Sequence, residues 1–431
     1  MIDLFPFAGF TVAVLGLGPA GRAACRALQV AEAEVWAWDV NPERRAEAEA
    51  DGIETTDLGQ ADWRQPTTLV TGPEAGHLPA RPHPLAEAAL GAGAEVISDL
   101  ELLVRGARDA IYVGVTGALG KSSVTALIGH VLQVSGREAE VGGDDLGPPP
   151  LSLYTLGPEG TYVLEMPAEI LPMTPSLTFD VAVLTNLAAA GATADAGQAR
   201  EIFRRQTEPR AAVVGIDDRG SRDIFKALKS RSEQRVIPIS GRRRARGGVY
   251  ALDGILHDDI EGHALAFMDL GASPVFAGPD MHFAAAAAYA AARSAGVEPR
   301  VAAACLNSYP GLVHRHEVIA RIDGVDYINC ARATSPELAL RAVKAYDRVV
   351  WITNRPADTT PENVTASIPV TAGDLAQALV QAAQAARAAD GPRPVVLYAP
   401  AEPAGAAGFE ARGEAFRDLV EALPGERSEL S

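Results

Sequence analysis

Ala110-Ile111-Tyr112-Val113-Gly114-Val115-Thr116-Gly117-Ala118-Leu119-Gly120-Lys121-Ser122-Ser123-Val124-Thr125 decides how this chain folds. The apolar run up to Val115 reads as a buried parallel strand. A Gly-rich turn follows, then a helix expected to reach about Leu132. Strand, Gly-rich loop, Lys-Ser and helix in this order form the layout of a phosphate-binding P-loop. In that layout backbone N–H groups around Gly117 and Gly120 wrap phosphates, Lys121 neutralises their charge, and Ser122 and Ser123 open the helix, with the Ser122 hydroxyl a ligand for Mg²⁺. The strict motif has one more glycine, five positions before Gly120, where this chain has Val115, so the loop is a shorter variant. A tight turn without a ligand is the competing reading. Glu165, just past a strand at Tyr162–Leu164, places a carboxylate at a strand end beside the loop, which suits a second Mg²⁺ ligand; an ordinary strand-end acid is its alternative.

Working outward, Thr11–Leu15 is another buried strand, and it runs into Gly16-Leu17-Gly18-Pro19-Ala20-Gly21 and an Ala-rich helix. A second strand, Glu34–Trp38, ends at Asp39, 18 residues past Gly21. Gly16, Gly18 and Gly21 permit a tight turn and the approach of a phosphate to a helix N-terminus, with Asp39 where a ribose hydroxyl would be read. Dinucleotide binding, as in an oxidoreductase, and a ligand-free turn are both compatible with these residues. Strand signals recur at Thr68–Val70, Glu95–Ile97, Val181–Leu184 and Ala211–Val214. Past a Gly-rich polar stretch lies an Ala-rich helix at 283–294, expected to pack tightly. A last set of strands is expected at Val325–Ile328, Arg348–Ile352 and Val395–Tyr398, with helices at Pro336–Tyr346, Leu375–Ala388 and Glu410–Leu423. The fold class is therefore α/β in three domains: a Rossmann-like domain over 1–107, a central P-loop domain over 108–308 and a Rossmann-like C-terminal domain over 309–431.

Composition narrows the function. A net charge of −17 argues against a nucleic-acid binder, which needs a basic face. Three cysteines, Cys25, Cys305 and Cys330, make no disulfide framework, and with no leader or membrane segment legible the expected location is the cytoplasm, without membrane insertion. Only four of 38 basic residues are lysines (Lys121, Lys226, Lys229 and Lys344), so a lysine kept in the loop is informative in itself. His257-Asp258-Asp259-Ile260-Glu261-Gly262-His263 reads as a polar hairpin tip, not a zinc cluster, and Arg242–Arg246 as a solvated loop.

Taken in order, these segments resemble the Mur ligases over nearly the whole chain. The resemblance rests on the N-terminal Gly-rich turn, Ile97-Ser98-Asp99-Leu100-Glu101-Leu102, Gly114 to Ser122, Pro310-Gly311-Leu312-Val313-His314-Arg315-His316-Glu317, Gly324-Val325-Asp326-Tyr327-Ile328-Asn329, and Phe409-Glu410-Ala411-Arg412-Gly413-Glu414-Ala415-Phe416. It implies an ATP- and Mg²⁺-dependent ligase of peptidoglycan synthesis, most like those that add D-glutamate to UDP-N-acetylmuramoyl-L-alanine through an acyl phosphate, working as a monomer. Gly16, Gly18, Gly21 and Asp39 would then meet the UDP-sugar, and Gly117, Gly120, Lys121, Ser122 and Ser123 the ATP. Lys121, Glu165 and Arg315 would carry catalysis, Ser122 and Glu165 the metal, and Arg332 and Thr334 the amino acid.

The chain also departs from the family pattern. Ala118 and Leu119 replace a Thr and an Asn of the loop, and Asp145 replaces an Asn of a Gly-rich segment. Asn186 to Thr193 lacks the family's metal-binding His, and Ala199 stands at its carbamylated lysine. Gly278–Ala284 lacks two asparagines, Cys330-Ala331-Arg332 replaces Asp-Ser-Lys, and Ala399–Ala404 loses serines and gains Glu402. The stretch from Asp358 to Leu375 is expected to be short by a strand and a helix. These departures keep a second reading open, a catalytically degenerate Mur-ligase-like protein that binds nucleotide or a cell-wall partner.

Overall fold

The computed structural model describes residues 2–143, 146–189, 192–355, 360–370, 374–389, 394–403 and 408–428. Contacts divide the chain into two compact units: Met1–Ile239 with Ala245–Val249 and Ala287–Ala302, and Ser240–Arg244 with Tyr250–Ala286 and Ala303–Ser431.

The first unit holds two parallel sheets. β1 (Thr11–Leu15), α1 (Pro19–Val30), β2 (Glu34–Trp38), α2 (Pro42–Ala50), β3 (Thr68–Val70), α3 (Pro84–Gly91), β4 (Glu95–Ile97) and α4 (Asp99–Gly106) build a four-stranded sheet in the order β2-β1-β3-β4. The Ser98 hydroxyl caps α4 by accepting the Glu101 N–H at 3.3 Å. The second sheet begins with β5 (Ile111–Thr116), whose residues past Ile111 are all buried, as expected of a strand covered on both faces. It continues through α5 (Lys121–Val134), β6 (Ala139–Gly143), β7 (Thr161–Glu165), β8 (Val181–Leu184), a two-residue antiparallel pair of β9 (Ala188–Ala189) and β10 (Ala192–Thr193), α6 (Ala196–Arg200), β11 (Ala211–Gly215), α7 (Arg219–Arg231) and β12 (Arg235–Ser240). Six of these strands run parallel in the order β12-β11-β8-β5-β7-β6. Val12 and Val14 of β1, Leu100 and Leu103 of α4, and Tyr162 and Leu164 of β7 join one apolar cluster, so both sheets share a core.

Next along the chain come β13 (Val249–Leu252), β14 (Ile255–Asp258), β15 (Leu265–Asp269), α8 (Gly278–Ser294) and α9 (Pro299–Asn307). β14 and β15 are antiparallel, with His257 paired to Ala266, so the His257–His263 stretch is a hairpin. Arg242, Arg243, Arg244 and Arg246 are exposed. In α8 every residue from Ala284 to Ala292 is buried, which only small side chains on most of its faces permit.

The second unit's sheet is made by β16 (Glu317–Ile322), β17 (Val325–Asn329), α10 (Pro336–Val343), β18 (Val349–Thr353), β19 (Val364–Pro369), α11 (Leu375–Ala388), β20 (Val395–Tyr398), α12 (Gly408–Glu421) and β21 (Arg427–Ser428). Its order is β19-β18-β20-β17-β16-β21; the first four strands are parallel and the last two antiparallel to their neighbours. The stretch expected to be short by a strand and a helix holds one strand, β19, among its described residues. Its alternating burial and terminal Pro369 suit a sheet edge, and that polar alternation hid it in a sequence scan for apolar runs. Asp358, Asp145 and Ala404 lie outside the described residues. No described helix is long and apolar enough to cross a membrane.

Candidate active site

The loop between β5 and α5 is held in shape by the end of β8. Asn186 clamps Leu119 with a reciprocal pair of bonds, its Nδ2 donating to the Leu119 carbonyl at 2.9 Å and its Oδ1 accepting the Leu119 N–H at 3.0 Å. The Ala118 N–H donates to the Asn186 carbonyl, and the Thr185 hydroxyl donates to the Leu119 carbonyl. Gly117 has φ +139°, and a Cβ there would lie 2.1 Å from the Thr185 hydroxyl oxygen, so the loop passes β8 only because this residue is glycine. On the other side the Thr116 hydroxyl donates to the Met166 carbonyl at 3.0 Å. The loop is thus fixed by neutral bonds that leave its charged residues for other work. The sequence showed Asn186 only as the head of a ligand-poor segment; the signal for its clamp is the polar pair Thr185-Asn186 closing an apolar strand.

Three predicted site residues come together here. Lys121 opens α5, and its Nζ lies 4.0 Å from Glu165 Oε1. The Ser122 hydroxyl donates to that same oxygen at 3.1 Å. Glu165, the last residue of β7, has a side chain only 1% exposed. A carboxylate is costly to bury away from opposite charge, so this placement next to an ammonium and a helix N-terminus marks a site built for ionic chemistry. Ser123, the next residue on α5, is also buried. The hydroxyl of Ser122 and the carboxylate of Glu165 are hard oxygen donors. They fit Mg²⁺, which takes one or two carboxylates and completes its shell with water and substrate phosphates. Among the described residues no group of three or more His, Cys, Asp or Glu forms an all-protein metal cage. Ala199 is fully buried on α6.

A cavity of about 260 Å³ runs from the first sheet's strand ends to Glu165. Gly16, Gly21, Thr71, Glu74, Asp99 and Glu165 are among the residues lining it. Gly18 caps the N-terminus of α1 beside this turn. The Thr71 hydroxyl oxygen is buried without a hydrogen-bond partner among the described residues, a state that a bound ligand relieves. Asp39 braces the turn from within: its carboxylate accepts the N–H groups of Leu17 and Asn41, each at 2.8 Å, and lies 3.6 Å from Arg44. Burial pushes the Asp99 carboxyl up to about 6; its bond from the Leu100 N–H opposes the rise and the charge of Glu74 adds to it. Raised above its unfolded value, this carboxyl costs stability as pH climbs from about 4 to about 6, and above that window the cost is complete.

The second unit carries the remaining predicted residues. Arg315 follows His314 in the loop before β16, and the Arg332 N–H donates to the His314 carbonyl at 3.1 Å. The Arg332 guanidinium lies over the Phe409 ring at 4.5 Å. The Thr334 N–H bonds back to the Arg332 carbonyl at 2.8 Å, closing a tight turn before the Ser335 cap of α10. Arg412 ties this turn down: its guanidinium donates to the carbonyls of Ala331, Pro403 and Glu402. Cys330, where the family has an aspartate, is buried, and burial raises its thiol's pKa.

No protein-family profile matches the chain. Among solved structures it is similar to the UDP-N-acetylmuramoylalanyl-D-glutamyl-2,6-diaminopimelate--D-alanyl-D-alanyl ligase of Acinetobacter baumannii, with a TM-score of 0.52 at 15% identity over 86% of this chain and 95% of that one. A pseudomurein peptide ligase type C from Methanothermus fervidus gives 0.50 at 13% identity over 96% and 99%. The fold is therefore that of the Mur ligases and their kin. Sequence relatives narrow the class. The UDP-N-acetylmuramoylalanine--D-glutamate ligase of Rhodospirillum rubrum is 36% identical over 97% of this chain and 96% of its own length. Proteins of the same name from Phenylobacterium zucineum and Caulobacter vibrioides are each 34% identical over 98% of both chains. The chain belongs to the UDP-N-acetylmuramoylalanine--D-glutamate ligase family.

Proposed function

We propose that this chain ligates D-glutamate to UDP-N-acetylmuramoyl-L-alanine at the expense of ATP, the reaction its relatives are named for. The observation that carries this reading is the convergence of Lys121, Ser122 and Glu165 on a braced phosphate loop. Residues 1–107 hold the UDP-sugar, 108–308 the ATP and 309–431 the incoming amino acid. The alanyl carboxylate attacks the terminal phosphorus of ATP, forming an acyl phosphate and releasing ADP. The D-glutamate amine then adds to the acyl carbon, and the tetrahedral species collapses to an amide, expelling phosphate and shedding a proton. Phosphoryl transfer is governed by positioning and charge compensation. Lys121 supplies a cation at the loop, and the N–H groups at the head of α5 cradle phosphate oxygens. Ser122 and Glu165 would hold Mg²⁺, which would supply Lewis-acid charge neutralisation. Arg315 adds positive charge toward the transferred group, and Arg332 and Thr334 receive the amino acid.

Purified chain incubated with both substrates, ATP and Mg²⁺ is expected to yield a product heavier than the sugar nucleotide by one glutamyl residue, read by mass spectrometry. Unchanged sugar nucleotide under conditions where the Rhodospirillum rubrum relative converts it leaves the degenerate reading instead.

The cavity gives this reading a pH signature. A sugar nucleotide brings negative charge toward Asp99, so it binds the protonated carboxyl better, and affinity falls as pH rises past about 6. Calorimetric titration with UDP-N-acetylmuramoyl-L-alanine is expected to show binding about fivefold tighter at about pH 5.5 than at about pH 7.5, a difference that Asp99→Asn flattens. Equal affinities in the unsubstituted chain place the anionic ligand away from Asp99.

A further inference from the structure

Arg315 sits between two residues of left-handed backbone, His314 at φ +61° and His316 at φ +49°. Side chains other than glycine rarely adopt this conformation, so surrounding contacts must impose it. For His316 the contact is the Tyr346 hydroxyl, 2.9 Å from its Nδ1. For His314 there are several. Its N–H donates to Glu317 Oε2 at 3.0 Å, its carbonyl accepts from Arg332, and its ring is buried.

The ring's orientation is set by Asn329, the last residue of β17. Asn329 Nδ2 lies 3.0 Å from the Gly413 carbonyl, 3.1 Å from Glu317 Oε2 and 3.0 Å from His314 Nδ1. The first two atoms only accept, so the amide NH₂ faces them, and Oδ1 accepts the Ala331 N–H at 3.1 Å. His314 Nδ1 lies between this amide and Glu317 Oε2, 3.6 Å away. At the far side of the ring, Nε2 lies 3.4 Å from Glu414 Oε1. Arg417 engages the other oxygen of Glu317. Gly413 completes the seat, because a Cβ there would lie 2.3 Å from His314 Nδ1. Burial pushes His314 below the usual histidine range, with Glu317, Glu414 and Glu410 opposing the shift and Arg417 reinforcing it, so the neutral ring is the resting form.

We propose that Asn329 is a positioning residue for the ligation, seating the His314 ring and its left-handed backbone so that the flanking Arg315 and the bonded Arg332 are presented to the substrates. The role rests on the function proposed above, in which those two arginines meet anionic groups. Asn329 touches no reacting atom; it acts through His314, whose carbonyl joins the Arg315 loop to the Arg332 turn.

Asn329→Asp tests it, because a carboxylate of the same shape faces Glu317 and favours a proton on His314 Nδ1. At neutral pH kcat/KM for D-glutamate is expected to fall about thirtyfold, with the KM for the sugar nucleotide within about twofold of the original. The loss should deepen as pH drops below about 7, an inflection that Asn329→Ala, lacking the charge, does not share. Gly413→Ala, whose Cβ crowds the ring at Nδ1, should reproduce the D-glutamate effect with Asn329 intact. Unaltered kinetics in Asn329→Asp overturn the proposal. So does a fall shared equally by all three substrates without a pH inflection and tracking a lowered unfolding midpoint, since that is the mark of a purely structural role. Absence of ligation by the unsubstituted chain removes the underlying function, and this role with it, and is distinguished by that control.

Discussion

Replacing Lys121 with alanine is expected to lower ligation by about a thousandfold or more, with the loss in kcat, and to lower the unfolding midpoint without changing the path of the loop. The reason lies in what the loop already has. Its path is set by Gly117, Thr185 and Asn186 through neutral backbone and amide bonds, none of which involves the ammonium. Lys121 Nζ stands 4.0 Å from the buried Glu165, so losing the ammonium strands that carboxylate and lowers the unfolding midpoint, a cost separate from the loss in rate. ATP should still enter the loop, held by N–H groups, while the transferred phosphoryl group loses a positive charge that matters most in the transition state. Steady-state kinetics with a thermal unfolding control measure both halves. Lys121→Arg is a sharper companion. In a chain with only four lysines among 38 basic residues, arginine is the default cation, and its retention as lysine here implies that a compact ammonium is needed. The arginine variant should recover less than about a tenth of the original rate. A loss of only about tenfold in Lys121→Ala places the phosphate charge elsewhere.

Glu165→Gln is the second large effect. The amide keeps the shape and can still accept from the Ser122 hydroxyl, so packing around β7 is preserved. What goes is the negative charge that draws Mg²⁺. Turnover is expected to fall by about a hundredfold to a thousandfold, and the Mg²⁺ concentration at half-maximal rate to rise about tenfold. Stability should move the other way. Glu165 is almost wholly buried, and removing its charge relieves a desolvation cost, so the unfolding midpoint should hold or rise. Lower activity with equal or greater stability is the signature of a group kept for chemistry. An unchanged Mg²⁺ requirement would assign Glu165 to structure alone.

Much of this was legible in the sequence where residue type and local order decide the outcome. The unbroken apolar run of β5, the Gly-rich turns after β1 and β5, and the Ala-rich α8 announce buried parallel strands and tight helices directly. Elements with mixed patterns were not legible. β6 ends in Gly142-Gly143, α7 carries charge on most of its turns, and β19 alternates at an edge; each owes its place to neighbours distant in sequence. The site divides the same way. Lys121, Ser122 and Glu165 could be named from spacing, because a P-loop and a following strand end dictate their neighbourhood. Asn186 as a clamp, Thr71 and Asp99 as cavity wall, and Asn329 as the seat of His314 depend on tertiary approach, which no local pattern encodes. The departures from the family pattern also read differently in three dimensions. Ala199 is a packed core position, and Asn186 has a structural task that the missing histidine does not touch.

The acyl-phosphate route is tested most directly by oxygen-18. UDP-N-acetylmuramoyl-L-alanine labelled in the alanyl carboxylate is incubated with the chain, ATP, Mg²⁺ and D-glutamate, and the released phosphate is analysed by mass. The expected result is phosphate release that requires D-glutamate, carries one labelled oxygen per molecule and disappears in Lys121→Ala. Unlabelled phosphate, or no phosphate at high protein concentration while the Rhodospirillum rubrum relative releases it under the same conditions, would contradict it.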